Sequence, residues 1–241
     1  MELRKQDLQH VVSRLPRDTV KLIKERGLFL GGGFVRATIA GEKPADIDLF
    51  GATKDQLEAA ARALADDRKG ARLHASKNAF TVLSGSRMPV QMIFRWLYTA
   101  PEDLMKSFDF TVAQAIIWFA KNSEGDGGRW LSCCHDDFYP DLAARRLVYC
   151  SPVRNEDAGG SILRVRKFLA RGYNIQAPAL AAVIARLVSK VELNDPATLK
   201  DEPYITKIIT GLLREVDPLV AVDGIDLVDE HELAEQEVNQ P

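Results

Sequence analysis

Along residues 3–26 the apolar positions recur with helical spacing, and Pro16 interrupts them, which predicts two consecutive helices. Val20, Leu22 and Ile23 give the second helix a partial apolar stripe, and Gly27 suits the left-handed position that closes a helix. The apolar run at 28–30 reads as a short strand. After three glycines, Phe34, Val35, Ile39 and Ala40 support a further helix, which Gly41 and Pro44 stop. Residues 47–50 predict a second strand, and the run QLEAAARALADD at 56–67 consists almost entirely of strong helix formers.

The pattern then changes. Between 71 and 94, ARLHAS, AFTVL and VQMIF are β-rich runs separated by Lys-Asn and Gly-Ser-Arg-Met-Pro turns, which predicts three strands. The run FDFTVAQAIIWFA at 108–120 fits a strand or a buried helix equally. KNSEGDGGR at 121–129 has the composition of a loop. Beyond it PDLAARRL, SILRVRKFLARG, PALAAVIARLVSK and YITKIITGLLREV all read as helices, and residues 223–241 are acidic, without aromatics, and expected to fray. The layout is α+β first and all-helical afterwards. It divides into a head at 1–120, a helical region at 121–222 and a tail at 223–241.

The chemistry concentrates in LFLGGGFVRATIAGEKPADIDLF, residues 28–50. Glycines between a strand and a helix let backbone N–H groups approach an anion closely, and the helix N-terminus adds a positive end. Gly32 and Gly33 are therefore candidate phosphate-binding positions, and Arg36, one turn into the helix, can add a bidentate fork. Asp46 and Asp48 are two residues apart on a predicted strand, which puts them on one face with Cα atoms roughly 6–7 Å apart. Two carboxylates so placed repel unless a cation lies between them. Hard ions such as Mg²⁺ or Mn²⁺ take oxygen ligands, and a pair of them can clamp a phosphoryl transfer.

Gly32-Gly33-Phe34-Val35-Arg36, then Gly41, then Asp46-Ile47-Asp48 resembles the head of the poly(A) polymerase and tRNA CCA-adding nucleotidyltransferases, within the polymerase-β-like superfamily. The resemblance continues through Phe108-Asp109-Phe110-Thr111, where Phe108 replaces an arginine, and Asp141-Leu142 followed by Arg145-Arg146-Leu147. It ends in the Arg-rich run from Ser161 to Phe168. It implies a small mixed sheet flanked by helices, a nucleoside triphosphate substrate, and an RNA 3′ end as acceptor. It also implies that Asp46 and Asp48 hold metal, and that Arg164 and Lys167 contact triphosphate, base or acceptor strand. Asp109 has three open roles: third metal carboxylate, cap of a helix starting at Thr111, or ribose contact. Such sites often carry a third carboxylate on a neighbouring strand; on VQMIF the exposed-face candidate is Gln91, an amide and no strong metal ligand. Where base-reading Asp and Arg would stand, Ala158 and Ser161 occur, with Glu156 and Asp157 out of register, so base selection is expected to be loose. The chain also offers less sequence after Tyr173 than the body and tail of the tRNA enzymes, which suggests a compact phage- or prophage-type member.

Composition narrows the rest. Of 241 residues 46% are hydrophobic and 27% charged, as in an ordinary globular protein. The net charge of −2 and pI near 6.1 give no global basic excess for nucleic acid, so any RNA contact must be local. Cys133, Cys134 and Cys150 form no disulfide framework, and Cys133-Cys134-His135 lacks zinc-site spacing, so buried free thiols in a reducing cytoplasm are expected. No membrane-spanning run or signal-like start is visible. The expected activity is template-independent, metal-dependent transfer of a nucleotide to an acceptor hydroxyl. Transfer to a protein or small molecule, as in toxin or resistance enzymes, is the alternative acceptor, and a non-catalytic nucleotide- or RNA-binding module is the alternative class.

Overall fold

The computed structural model describes residues 1–85, 87–122, 127–150, 158–189 and 202–206. The chain divides into two compact units, the first comprising Met1–Ala143 and the second beginning at Ala144.

The first unit opens with α1 (Lys5–Arg14) and α2 (Arg17–Arg26), separated at Pro16 as the pattern predicts. Gly27 closes α2 with φ 63°, its N–H donating to the Ile23 carbonyl. Then follow β1 (Phe29–Gly31), α3 (Gly33–Ile39), β2 (Ile47–Phe50) and α4 (Lys54–Asp67). Thr53 caps α4, its side chain accepting from the Gln56 N–H at 3.1 Å, which fixes where the Ala-rich run begins. The three expected strands are β3 (Arg72–Ala75), β4 (Ala79–Leu83) and β5 (Val90–Ile93). After α5 (Pro101–Lys106) and a short 3-10 turn, Thr111–Ala113, the ambiguous run becomes β6 (Ala115–Lys121). It is a strand because β7 (Gly128–Cys134) pairs with it along its whole length, from Ala115↔Cys134 to Lys121↔Gly128. The expected loop at 121–129 therefore contributes residues to both strands, and the sheet runs past the head boundary of 120. The helix α6 (Phe138–Ala143) completes the unit.

The seven strands lie in the order β3-β4-β5-β2-β1-β6-β7, antiparallel except for β2 and β5, which run parallel. One face is apolar: Ile117, Leu30, Leu49, Met92 and Phe80 stand in register across five strands and are all buried. Leu57, Ala60, Ala61 and Leu64 of α4 are buried, and α4 packs on β3, β4 and β5. Part of the other face is covered by α5, whose Leu104 joins Phe50, Ile116 and Cys133 in a second apolar cluster. Further along that face the register row Gly31–Asp48–Gln91–Thr81–His74 is polar.

The second unit contains β8 (Arg146–Leu147), α7 (Ala158–Ala170), β9 (Asn174–Ile175) and α8 (Ala177–Val188). It is not wholly helical as expected, since β8 and β9 pair in parallel. The expected helix PDLAARRL stops at Ala143 because Arg145 takes a left-handed conformation, φ 47°, from which the chain enters β8. On α7, Ser161, Val165 and Phe168 are buried on one side and Leu163 on another, while Leu169 is 48% exposed. Of the expected helix at 204–216, residues 204–206 are helical and the remainder lies outside the described residues, as do Glu156, Asp157 and the 223–241 tail.

Candidate active site

The three successive glycines meet three different surroundings. A Cβ on Gly31 would lie 2.9 Å from Ile116 Cδ1 and 3.3 Å from both the Phe108 and Phe50 rings, so this glycine lets the second apolar cluster close over β1. Gly32 has φ 70°, and a Cβ there would lie 2.5 Å from Oδ2 of Asp48. Both the backbone conformation and the approach of the carboxylate exclude a side chain at that position. Gly33 begins α3, and nothing lies within 4 Å of where its Cβ would be. The space in front of Gly33 is therefore open, beside a carboxylate packed against Gly32.

Asp48 sits in β2 with Gly31 opposite it on β1 and Gln91 opposite it on β5. Asp46 lies just before the strand, where the Ile47 N–H donates to the Pro89 carbonyl, and both aspartates are half-buried. Their donor set is oxygen only, which fits a hard divalent ion completing its shell with water and phosphate. Among the described residues no group of three or more His, Cys, Asp or Glu is placed to hold a metal ion.

Four residues singled out in the sequence have surroundings that no local pattern indicated. Gln91, expected on the exposed face, is 2% exposed, and its Nε2 is buried without a hydrogen-bond partner. Arg36, expected to reach toward an anion, is buried and ion-paired with Glu42 Oε2 at 3.5 Å. Asp109 is buried and does not cap the turn at Thr111, where Phe110 is the N-cap residue and no side-chain cap forms. Phe108, in the place of an arginine, packs edge-on against Phe50 with ring centroids 5.9 Å apart, so an apolar side chain suits that position.

One contact escaped the sequence reading. Thr111 Oγ1 donates to Asp141 Oδ2 at 2.6 Å, both residues being buried. The two family-like elements around Asp109 and Asp141 are thus joined by a charge-assisted bond, which ties Asp141 to the first residue of the 3-10 turn. The only hint in the sequence was that both elements belong to one resemblance. Arg164 is half-buried while Lys167, which lies ~60° away around α7, is exposed, as is Arg171 just past the helix end. Ser161 is buried, with its Oγ lacking a hydrogen-bond partner. Burial pushes the Cys133 thiol up to about 12 and that of Cys134 to about 11, as expected of inert core thiols.

The fold is that of the nucleotidyltransferases. A Thermotoga maritima CCA-adding enzyme complexed with tRNA superposes with a TM-score of 0.53 at 17% identity, over 95% of this chain and 53% of that one. A CCA-adding enzyme with ATP gives 0.56 at 19% identity, over 90% and 51%. A tRNA nucleotidyltransferase complexed with a primer tRNA and an ATP analogue gives 0.52 at 19%, over 90% and 59%. The chain therefore spans little more than half the length of these enzymes. No curated protein matches the sequence. A family model described as Gabija anti-defense 2 family protein matches residues 2–145, which is nearly the whole first unit. Among the described residues no helix is long and apolar enough to cross a membrane.

Proposed function

The chain belongs to the Gabija anti-defense 2 family, and from that premise we propose that it is a divalent-metal-dependent nucleotidyltransferase, moving a nucleotide from a nucleoside triphosphate to an acceptor hydroxyl. The observation that carries this reading is the packing of Asp48 against Gly32, with open space in front of Gly33. A module that only held RNA would have no use for Asp46 and Asp48 together. Paired carboxylates cost repulsion that a bound cation turns into attraction.

In this reading Asp46 and Asp48 hold Mg²⁺ or Mn²⁺. The ion would neutralise triphosphate charge and lower the pKa of the attacking hydroxyl. The backbone at Gly32 and Gly33 cradles the phosphates, offering preorganised donors to charge that develops as pyrophosphate leaves. Arg36, tied to Glu42, braces the turn rather than gripping substrate. Asp109, two residues before the Thr111–Asp141 bond, is a candidate ribose contact, and Arg164 and Lys167 are candidate contacts for triphosphate or acceptor.

An RNA 3′ end is the acceptor that the likeness to tRNA-processing enzymes favours. A second reading is favoured by the family's name: the acceptor hydroxyl belongs to a component of the defense system that the family counters, protein or nucleic acid. Incubating the protein with each labelled nucleoside triphosphate, Mg²⁺, total RNA and the defense proteins separates the readings. Label in RNA supports the first, and label in a defense component the second. Without label in any acceptor, and without Mg²⁺-dependent pyrophosphate release, the enzyme reading fails and the binding-module alternative replaces it.

A further inference from the structure

Gln91 occupies a position in the site to which no role has been given. It stands directly beside Asp48 on the neighbouring parallel strand, so the two side chains rise from one face at the ~4.8 Å spacing of adjacent strands. On the far side of Asp48 the same row passes to Gly31, which has no side chain. The amide of Gln91 is therefore the one side chain flanking Asp48 along the row. On its own far side comes Thr81, which is fully buried.

The amide is 2% exposed and its Nε2 finds no hydrogen-bond partner. An unmade buried hydrogen bond destabilises a fold, and a methionine or leucine would fill the same volume without that cost. A polar group kept in such a place is characteristic of a site whose partner arrives with the ligand. The amide N–H₂ is a donor that cannot ligate a cation, so its complement is an oxygen brought next to Asp48.

We propose that Gln91 is a substrate-binding residue. Its Nε2 donates to a non-bridging phosphate oxygen of the nucleoside triphosphate held at Asp46 and Asp48. The inference rests on the nucleotidyltransferase reading and adds a specific contact to it. A donor at this position holds the phosphate by its oxygen while the carboxylates act through the cation, so the two kinds of contact do not compete for one ligand atom.

The test measures Mg²⁺-dependent binding of a non-hydrolysable nucleoside triphosphate analogue, together with thermal midpoints, on the full chain. Wild type, Asp48→Asn, Gln91→Met and Gln91→Glu are compared. Gln91→Met is expected to weaken binding about tenfold, the loss of one hydrogen bond to a charged group. Its ligand-free midpoint should match or exceed that of wild type, since a buried unpaired donor has been removed. Gln91→Glu is expected to weaken binding further, because a carboxylate faces the phosphate. Binding by Gln91→Met equal to wild type would show a packing role only and overturn the proposal, whatever the midpoint. Tighter binding by Gln91→Glu would make this position a metal-ligand position and overturn it as well. If the wild type shows no Mg²⁺-dependent binding, or Asp48→Asn binds as well as wild type, the nucleotidyltransferase reading itself falls, and the Gln91 contact with it.

Discussion

A methyl group on Gly32 would lie 2.5 Å from Oδ2 of Asp48, whereas one on Gly33 would meet nothing within 4 Å. Adjacent glycines in one turn therefore serve different ends. Gly32→Ala forces either the carboxylate or the backbone to move, and at φ 70° it is strained regardless. It is expected to lower stability by about 1–3 kcal/mol and to abolish nucleotide binding. Gly33→Ala begins a helix with a better helix former and should leave stability unchanged or raise it by up to ~1 kcal/mol. If the space in front of Gly33 receives phosphate, the same variant weakens nucleotide binding. Denaturant unfolding and nucleotide titration of both variants decide this, and a Gly33→Ala protein with full affinity would place the phosphates elsewhere.

Asp46→Asn and Asp48→Asn are each expected to reduce turnover below about a tenth of wild type, because either change removes a carboxylate from a two-carboxylate site. Their thermal midpoints without metal should not fall, since each substitution relieves like-charge repulsion. With Mg²⁺ added, the wild-type midpoint should rise and those of the variants should not. A variant that keeps its metal-induced shift would show that the other carboxylate suffices.

Asp18 governs acid stability, away from the site. Arg68, with a side chain only 1% exposed, donates to it from Nε at 2.9 Å and Nη2 at 3.1 Å, and Arg87 donates at 2.9 Å. Burial alone would push the Asp18 carboxyl up, but the hydrogen bonds and charge of Arg68 outweigh it and hold the carboxyl below its usual value. A depressed folded pKa means that the contribution is fully present above ~4 and is lost as pH falls through the lower folded value. Asp18→Asn leaves the buried Arg68 charge uncompensated and should cost about 3 kcal/mol at pH 7. The gap to wild type should close as pH drops below ~4. Thermal midpoints across pH 2–7 check this, and a gap that stays constant over that range would contradict it.

The local elements of the first unit were readable because each signal was strong and short-range. Pro16 and Gly27 mark helix ends by backbone geometry alone, and the paired carboxylates stand out by spacing. What depends on distant partners was not readable. Residues 115–121 are a strand because 29–31 and 128–134 pair with them on either side. Arg36 turned from an anion contact into a partner of Glu42, whose position after α3 no periodicity indicates. Gln91 was expected on an exposed face, but its place beside Asp48 and its burial depend on strand order and on how the face is covered. The Thr111–Asp141 bond joins residues thirty apart and has no local signature.

The basic stripe on α7 yields the last prediction. Arg164 and Arg166 are two residues apart, ~200° around the helix axis, so they leave α7 in nearly opposite directions. Arg164 shares its side with Lys167, while Arg166 does not. Net charge changes equally when either arginine becomes alanine, so any difference between the variants reports direction rather than charge. If the stripe contacts triphosphate or acceptor, Arg164→Ala removes a charge-assisted bond worth about 1.5–3 kcal/mol, roughly ten- to a hundredfold in kcat/KM. Arg166→Ala should then lie within about threefold of wild type, as expected for an exposed charge with no substrate contact. A general electrostatic attraction would instead weaken both variants alike, and low salt would rescue both to the same degree. Equal loss in the two variants would therefore remove Arg164 and Lys167 from the substrate site and leave binding to the residues around Asp46 and Asp48.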